Sequence, residues 1–234
     1  MVEDLNLVKE KILEVVRVLS YHGHLRGFGH VSVRIPGTDR FLITGKKETA
    51  GRTMAGLTPE DILAVDLKGA KLEGRLELPS EIFIHSCLYK AREEVGAIIH
   101  CHPIYSMALG VAGQHVLPLS TAAAFFAPRV PIYDDPNLID TEERGQKMVQ
   151  AMVKAFALVL RGHGTVAAGR TLEEAAGLAF CIEDTARIQL MAAPTGPLRP
   201  IASNEIDEAF LKMTQAGHGM RSLWLYYQGS TPRS

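Results

Sequence analysis

The chain has 234 residues, 47% of them hydrophobic, with 25 Lys and Arg against 26 Asp and Glu and a formal net charge of -1. A chain of this length and composition folds around one core, which excludes disorder as its main state and requires no second domain. The balanced charge offers no broad basic field, so no nucleic-acid or membrane partner is expected and any anionic substrate must be met locally.

The opening MVEDLNLVKEKILEVVRVL is acidic before it is apolar and interleaves charges, unlike a signal peptide, and nowhere is there an unbroken run of about 20 apolar residues. A cytoplasmic location is expected. Cys87, Cys101 and Cys181 are odd in number and show no close CxxC spacing, which speaks against a disulfide framework or a zinc ribbon.

Leu5, Val8, Ile12, Val15, Val16 and Leu19 recur at helical spacing, so an amphipathic helix is expected up to about Gly23. Val31, Val33 and Ile35 alternate with polar residues and Phe41–Ile43 follows, giving two strands joined by the Pro36–Asp39 turn. Ile62–Leu67 reads as a further strand. Pro79 suits the first position of a helix running to about Arg92, with Glu81 in its first turn. Val95–Pro103 is a compact β-branched run closed by proline, and a helix through Tyr105–Leu109 follows. From Val111 to Asp135 only a short strand near Val130–Tyr133 stands out. A helix over Thr141–Ala155 is expected with Asp140 as its cap, then a strand over Phe156–Leu160 that Thr165–Ala168 continues. Thr171 opens a long helix ending before Pro194, with Leu178, Ile182, Ala186 and Leu190 on one stripe. The pattern is α/β or α+β without repeats.

His100 and His102 sit two apart on an expected strand, so their imidazoles leave the same side, about 6.5 to 7 Å apart at Cα. That is a workable bite for one metal ion. Cys101 faces the other way and reads as a small core residue. His163, between Gly162 and Gly164, offers a third imidazole, and Glu81 at a helix N-terminus offers a carboxylate with Ser80 beside it. Three neutral imidazoles and a carboxylate suit Zn2+ or Mn2+, with positions left for substrate oxygens.

Six short motifs, Gly29-His30-Val31-Ser32-Val33-Arg34, Leu42-Ile43-Thr44-Gly45, Leu57-Thr58-Pro59-Glu60-Asp61-Ile62, Pro79-Ser80-Glu81, His100-Cys101-His102-Pro103 and Gly162-His163-Gly164, resemble the class II aldolase/adducin superfamily in order and spacing. The resemblance covers about residues 8–190. It implies a three-layer α/β/α sandwich with a mainly antiparallel central sheet, divalent-metal chemistry, and a homotetramer or larger homo-oligomer. It also implies His100, His102 and His163 as metal ligands, with Glu81 as a further ligand or the acid/base.

Within the superfamily, sugar-phosphate aldolases and epimerases usually carry Asn where this chain has His30, and a catalytic tyrosine where Leu117–Phe126 has none. The Gly-His-Val-Ser and Pro-Ser-Glu forms resemble instead the branch that decarboxylates hydroxylated aromatic or pyridine acids, including the 3-hydroxy-2-methylpyridine-4,5-dicarboxylate decarboxylases of vitamin B6 breakdown. The implied chemistry breaks a carbon–carbon bond beside a metal-chelated oxygen, so that charge develops on that oxygen as an enolate. Glu81 is expected to protonate the ring carbon, with His30 as the alternative acid. Thr44, Gly45, Lys47 and Ser80 are the expected substrate-binding residues, joined by Lys46. His85 either orients Glu81 or lies on the helix surface, Arg34 is a surface partner, and Phe125 and Phe126 either stack on a ring or pack in the core. The alternatives are an aldolase or epimerase acting on a sugar phosphate, and a non-catalytic adducin-like binding module. Residues 1–234 form one domain, in which 200–234, with His218, Trp224, Tyr226 and Tyr227, covers the site or a subunit contact.

Overall fold

The computed structural model describes residues 4–205, 207 and 217–232. The first apolar stripe becomes the buried face of α1 (Leu5–Tyr21), begun by the Asp4 carboxylate, which accepts the Asn6 N–H at 3.0 Å. The chain then builds β1 (His30–Arg34), β2 (Arg40–Thr44), the short α2 (Lys47–Ala50), β3 (Ile62–Asp66) and β4 (Lys71–Glu73). After α3 (Ile82–Ala91), β5 (Ala97–Cys101) returns to pair with β1, followed by α4 (Ile104–Val111) and β6 (Ile132–Tyr133). α5 (Glu142–Met152), β7 (Ala157–Leu160), β8 (Gly164–Gly169), α6 (Leu172–Ala192) and α7 (His218–Gly229) complete the described elements.

The strands form one sheet in the order β4-β3-β2-β1-β5-β8-β7-β6, antiparallel throughout except where β6 meets β7. Strand alternation sends Val31, Ile99 and Cys101 to one face, against Ile12 of α1 and Phe180 of α6. Ile43, Ile98 and Val166 face the other way, against Ile84 and Leu88 of α3 and Met148 of α5. Helices therefore cover both faces, the three-layer α/β/α sandwich around a mainly antiparallel sheet. α7 crosses α6 at Gly177, where a Cβ would stand 1.9 Å from the Met220 carbonyl oxygen.

Several local expectations need correction. Pro79 does not open α3: residues 79–81 form a turn, with the Ile82 N–H donating to the Pro79 carbonyl, and Glu81 is the residue before the helix. α5 is capped by Thr141, whose hydroxyl accepts the Arg144 N–H, because Asp140 is held by the Arg144 guanidinium at 2.5 Å. β8 does not continue β7. The chain reverses through Gly162, at φ 68°, and β8 runs back antiparallel beside β7. β4 has no signature in the sequence, since its three residues are all exposed and carry no apolar face.

Among the described residues no helix is long and apolar enough to cross a membrane. In the C-terminal segment, residues 206, 208–216, 233 and 234 lie outside those described. Tyr227 stacks on Phe180 at 3.8 Å and donates its hydroxyl to Asp184, which docks α7 on α6.

Candidate metal and catalytic site

The β1–β5 register sets His30 opposite His100, and both side chains leave the sheet on the α3 face. His102 follows just beyond β5, its N–H donating to the His24 carbonyl at 2.9 Å. His163 comes from the β7–β8 turn. Gly164 lets that turn close on β5, since a Cβ there would lie 2.4 Å from the Cys101 carbonyl oxygen and 2.8 Å from the His102 ring. The His100 ring centroid is 4.6 Å from that of His102 and 4.8 Å from that of His163, and one ligating atom from each of the three lies within 4.8 Å of the others.

Glu81 reaches the same point from the start of α3. Its Oε1 accepts the Ile139 N–H at 3.0 Å, and its Oε2 lies 3.3 Å from His163 Nε2, 3.4 Å from His100 Nε2 and 4.0 Å from His30 Nε2. The structure thus brings together His30, Glu81, His100, His102 and His163. Burial works against ionisation of Glu81, but the facing imidazoles of His100 and His163 outweigh it and hold the carboxyl well below the usual carboxylate range. Burial, then the neighbouring His100 and His163, pushes His102 down to about 3. Burial, with His100 and His85 close by, also places His30 well below free imidazole. His102 and His30 are therefore neutral at physiological pH, the form in which imidazole can bind a metal.

The donor set fits a divalent cation. His100 Nδ1–H donates to the Thr165 carbonyl at 3.0 Å, which leaves the lone pair on Nε2. That Nε2 is buried and has no hydrogen-bond partner, a state costing about 1–3 kcal/mol that an ion would relieve. Cys101 takes no part: it is buried on the opposite face, bonds Thr165 Oγ1, and burial raises its thiol to about 12.

His30, Glu81, His102 and His163 line the floor of a cleft of about 550 Å³, with His100 buried directly behind them. Phe28, Met54, Met107 and Leu138 supply apolar lining, Ser80 and Gly45 also line it, and Lys46 and Lys47 bring cations. Lys47 Nζ lies 5.5 Å from the centre of the Phe28 ring, which is 70% exposed. Lys47 pairs with Glu48 and Lys46 with Glu77. Thr44 is not among the lining residues. It shares the face of Leu42, opposite the histidines, and its hydroxyl accepts the Val31 N–H at 3.2 Å. The Gly45 N–H is taken by the Asp61 carbonyl and the Lys46 N–H by that of Glu77.

Other placements differ from expectation. Arg34 is no surface partner, for its guanidinium donates to the carbonyls of Val95, Tyr89 and Arg92. Phe126 is in the core and Phe125 packs against Phe156, so neither meets the cleft. His218 is exposed at the start of α7, and none of 217–232 lines the cleft. His85, neither on the surface nor bonded to Glu81, is fully buried and lies 2.9 Å from His30 Nδ1.

Two buried histidines set an acid limit on the fold. Burial is the main cause that lowers His24 to about 4 and His85 to about 3, against 6.5 in the unfolded chain. Each is neutral when folded where the unfolded chain takes a proton, so their effect is absent above pH 6.5 and destabilises as pH falls toward the folded values. At pH 5 each costs about 2 kcal/mol. The urea midpoint of chelator-treated protein is expected to fall between pH 7 and pH 5, with a shallower fall in His24→Gln; parallel profiles would refute the assignment.

Residues 10–190 match the family model described as Class II Aldolase and Adducin N-terminal domain. A 3,4-dihydroxyphthalate decarboxylase of Arthrobacter keyseri is 30% identical over 214 residues, covering 86% of this chain and 85% of the relative. A second protein of that name, from Terrabacter sp. (strain DBF63), is 32% identical over 200 residues, covering 80% and 82%. Among solved structures, an L-fuculose 1-phosphate aldolase superposes with a TM-score of 0.77 at 22% identity, over 90% of this chain and 95% of that one, a likeness of fold.

Proposed function

Because the chain belongs to the class II aldolase and adducin N-terminal domain family, we propose that it is a divalent-metal-dependent carbon–carbon lyase that decarboxylates a hydroxylated aromatic or pyridine carboxylic acid. The observation that carries this reading is the convergence of His100, His102, His163 and Glu81 at the floor of a cleft that His102, His163 and Glu81 line together with Phe28, Met54, Met107 and Leu138. A flat ring suits such walls. The two relatives named as decarboxylases, similar over more than four-fifths of this chain's length or close to it, support the same choice. The Thr44–Lys46 turn, whose Gly45 and Lys46 amides and Thr44 hydroxyl are engaged within the protein, gives little support to a sugar phosphate.

In this reading His100, His102 and His163 hold the ion, which when bound supplies positive charge beside the substrate's ring oxygen and carboxylate. Glu81, anchored by the Ile139 N–H, accepts the ring hydroxyl proton. As the carboxylate leaves as carbon dioxide, its bonding pair passes to the ring, and Glu81 returns the proton to the ring carbon. The product oxygen then takes one proton from solvent, so each turnover consumes one. Lys46 and Lys47 provide charge for a second carboxylate, as in a phthalate or a pyridine dicarboxylate.

The test is carbon dioxide release from hydroxylated benzene and pyridine dicarboxylates with added Mn2+ or Zn2+. Release that stops on chelation and returns with metal is expected. Dihydroxyacetone phosphate from sugar phosphates in its place would establish the aldolase alternative, and failure to bind metal would establish the binding module.

A further inference from the structure

His30 and His100 face each other across the β1–β5 pair, ring centres 5.0 Å apart, and both occur in clusters of ligating atoms. Their outer hydrogen bonds go to different partners, a backbone carbonyl for His100 and a second imidazole for His30. Beneath His30 runs a buried chain: His30 Nδ1 to His85 Nε2 at 2.9 Å, His85 Nδ1 to Ser32 Oγ at 2.6 Å, and Ser32 Oγ to the Tyr89 hydroxyl at 2.9 Å. Ser32, His85 and Tyr89 are each at most 1% exposed.

The far end sets the direction. Either oxygen of the Ser32–Tyr89 pair could donate, but among the described residues Ser32 Oγ is the acceptor within reach of the Tyr89 hydroxyl while Ser32 also has His85 Nδ1, so the arrangement that satisfies every group turns the tyrosine proton to Ser32. Ser32 then spends its own proton on His85 Nδ1, which leaves the His85 proton on Nε2, aimed at His30 Nδ1. With Nδ1 accepting, a neutral His30 carries its proton on Nε2, the nitrogen 4.0 Å from Glu81 Oε2. His100, whose Nδ1 donates to Thr165, has its lone pair on Nε2 instead.

We propose that His85 is a positioning residue that, with Ser32 and Tyr89, fixes His30 with its proton on Nε2, making His30 a hydrogen-bond donor to substrate oxygen and not a metal ligand. The inference rests on the reading of the cluster as a metal centre but on no particular substrate. It divides two neighbouring histidines into a donor and a ligand through what each touches behind the site.

Neutron diffraction from zinc-soaked crystals exchanged into heavy water reads it directly. Deuterium on Nε2 of both His30 and His85, with zinc on His100, His102 and His163, is expected. Zinc on His30, or deuterium on His30 Nδ1, overturns it. Crystals that take up no zinc but show deuterium on His30 Nε2 would defeat the metal reading and uphold the tautomer. His85→Gln, whose amide can donate to the same nitrogen, should keep that deuterium position, and His85→Phe should lose it. In the zinc protein, His85→Phe should weaken binding of a hydroxylated phthalate about tenfold, the worth of one oriented hydrogen bond, with zinc stoichiometry unchanged. Equal effects of the two variants on binding and on the deuterium position would overturn the role of His85.

Discussion

His100→Ala is expected to abolish stable metal binding and to lower kcat/KM by about four powers of ten, read by emission spectroscopy of the purified protein beside carbon dioxide release. Of the three imidazoles His100 is the most rigidly held: fully buried in β5, paired on both sides with strands, and oriented by the Thr165 carbonyl. His102 and His163 stand beyond a strand end and in a turn, so without His100 they form an incomplete donor set. Charge from a bound ion contributes several kcal/mol to such reactions, and a loss of about 5–6 kcal/mol corresponds to about four powers of ten. Zinc or manganese should restore activity to chelated wild-type protein and leave the variant inactive. A His100→Ala protein that folds, retains its metal and turns over within tenfold of wild type would show that the ion is held elsewhere.

Local periodicity exposed one half of this site and concealed the other. Alternation along β5 separates His100 and His102 from Cys101 without any knowledge of the fold, and Cys101 is indeed spent in the opposite core. The pairing of His30 with His100 joins distant parts of the chain, and no local pattern carries a strand register of that kind. Thr44 sits in a site-like motif, yet its parity with Leu42 turns its side chain to the other face, where it accepts the Val31 N–H. The chain behind His30 had a readable signal. Glu81 just before α3 and His85 and Tyr89 within it recur every four residues among mostly apolar positions, and Ser32 shares the strand face of His30. Polar groups spaced along one stripe of a buried helix need partners in the opposing layer, and here that layer supplies them.

Glu81→Gln is expected to lower kcat by about two to four powers of ten with metal content retained, because general acid–base catalysis contributes on that scale. The substitution is nearly isosteric, and the amide oxygen can still accept the Ile139 N–H, so the turn before α5 stays in place. Glu81→Ala would be a poorer probe, since it strands a buried N–H at about 1–3 kcal/mol and mixes stability with chemistry. What Gln cannot do is take the ring hydroxyl proton and give it to the ring carbon. Substrate binding, which in the proposed reading rests on the ion, the lysines and the apolar walls, should change far less, so the loss should fall on kcat and leave KM within a few fold. The comparison with His30→Gln assigns the proton. If Glu81 carries it, Glu81→Gln is the slower enzyme and His30→Gln chiefly weakens binding; if Glu81→Gln turns over within threefold of wild type while His30→Gln does not, the donor is His30 and the carboxylate serves the metal alone.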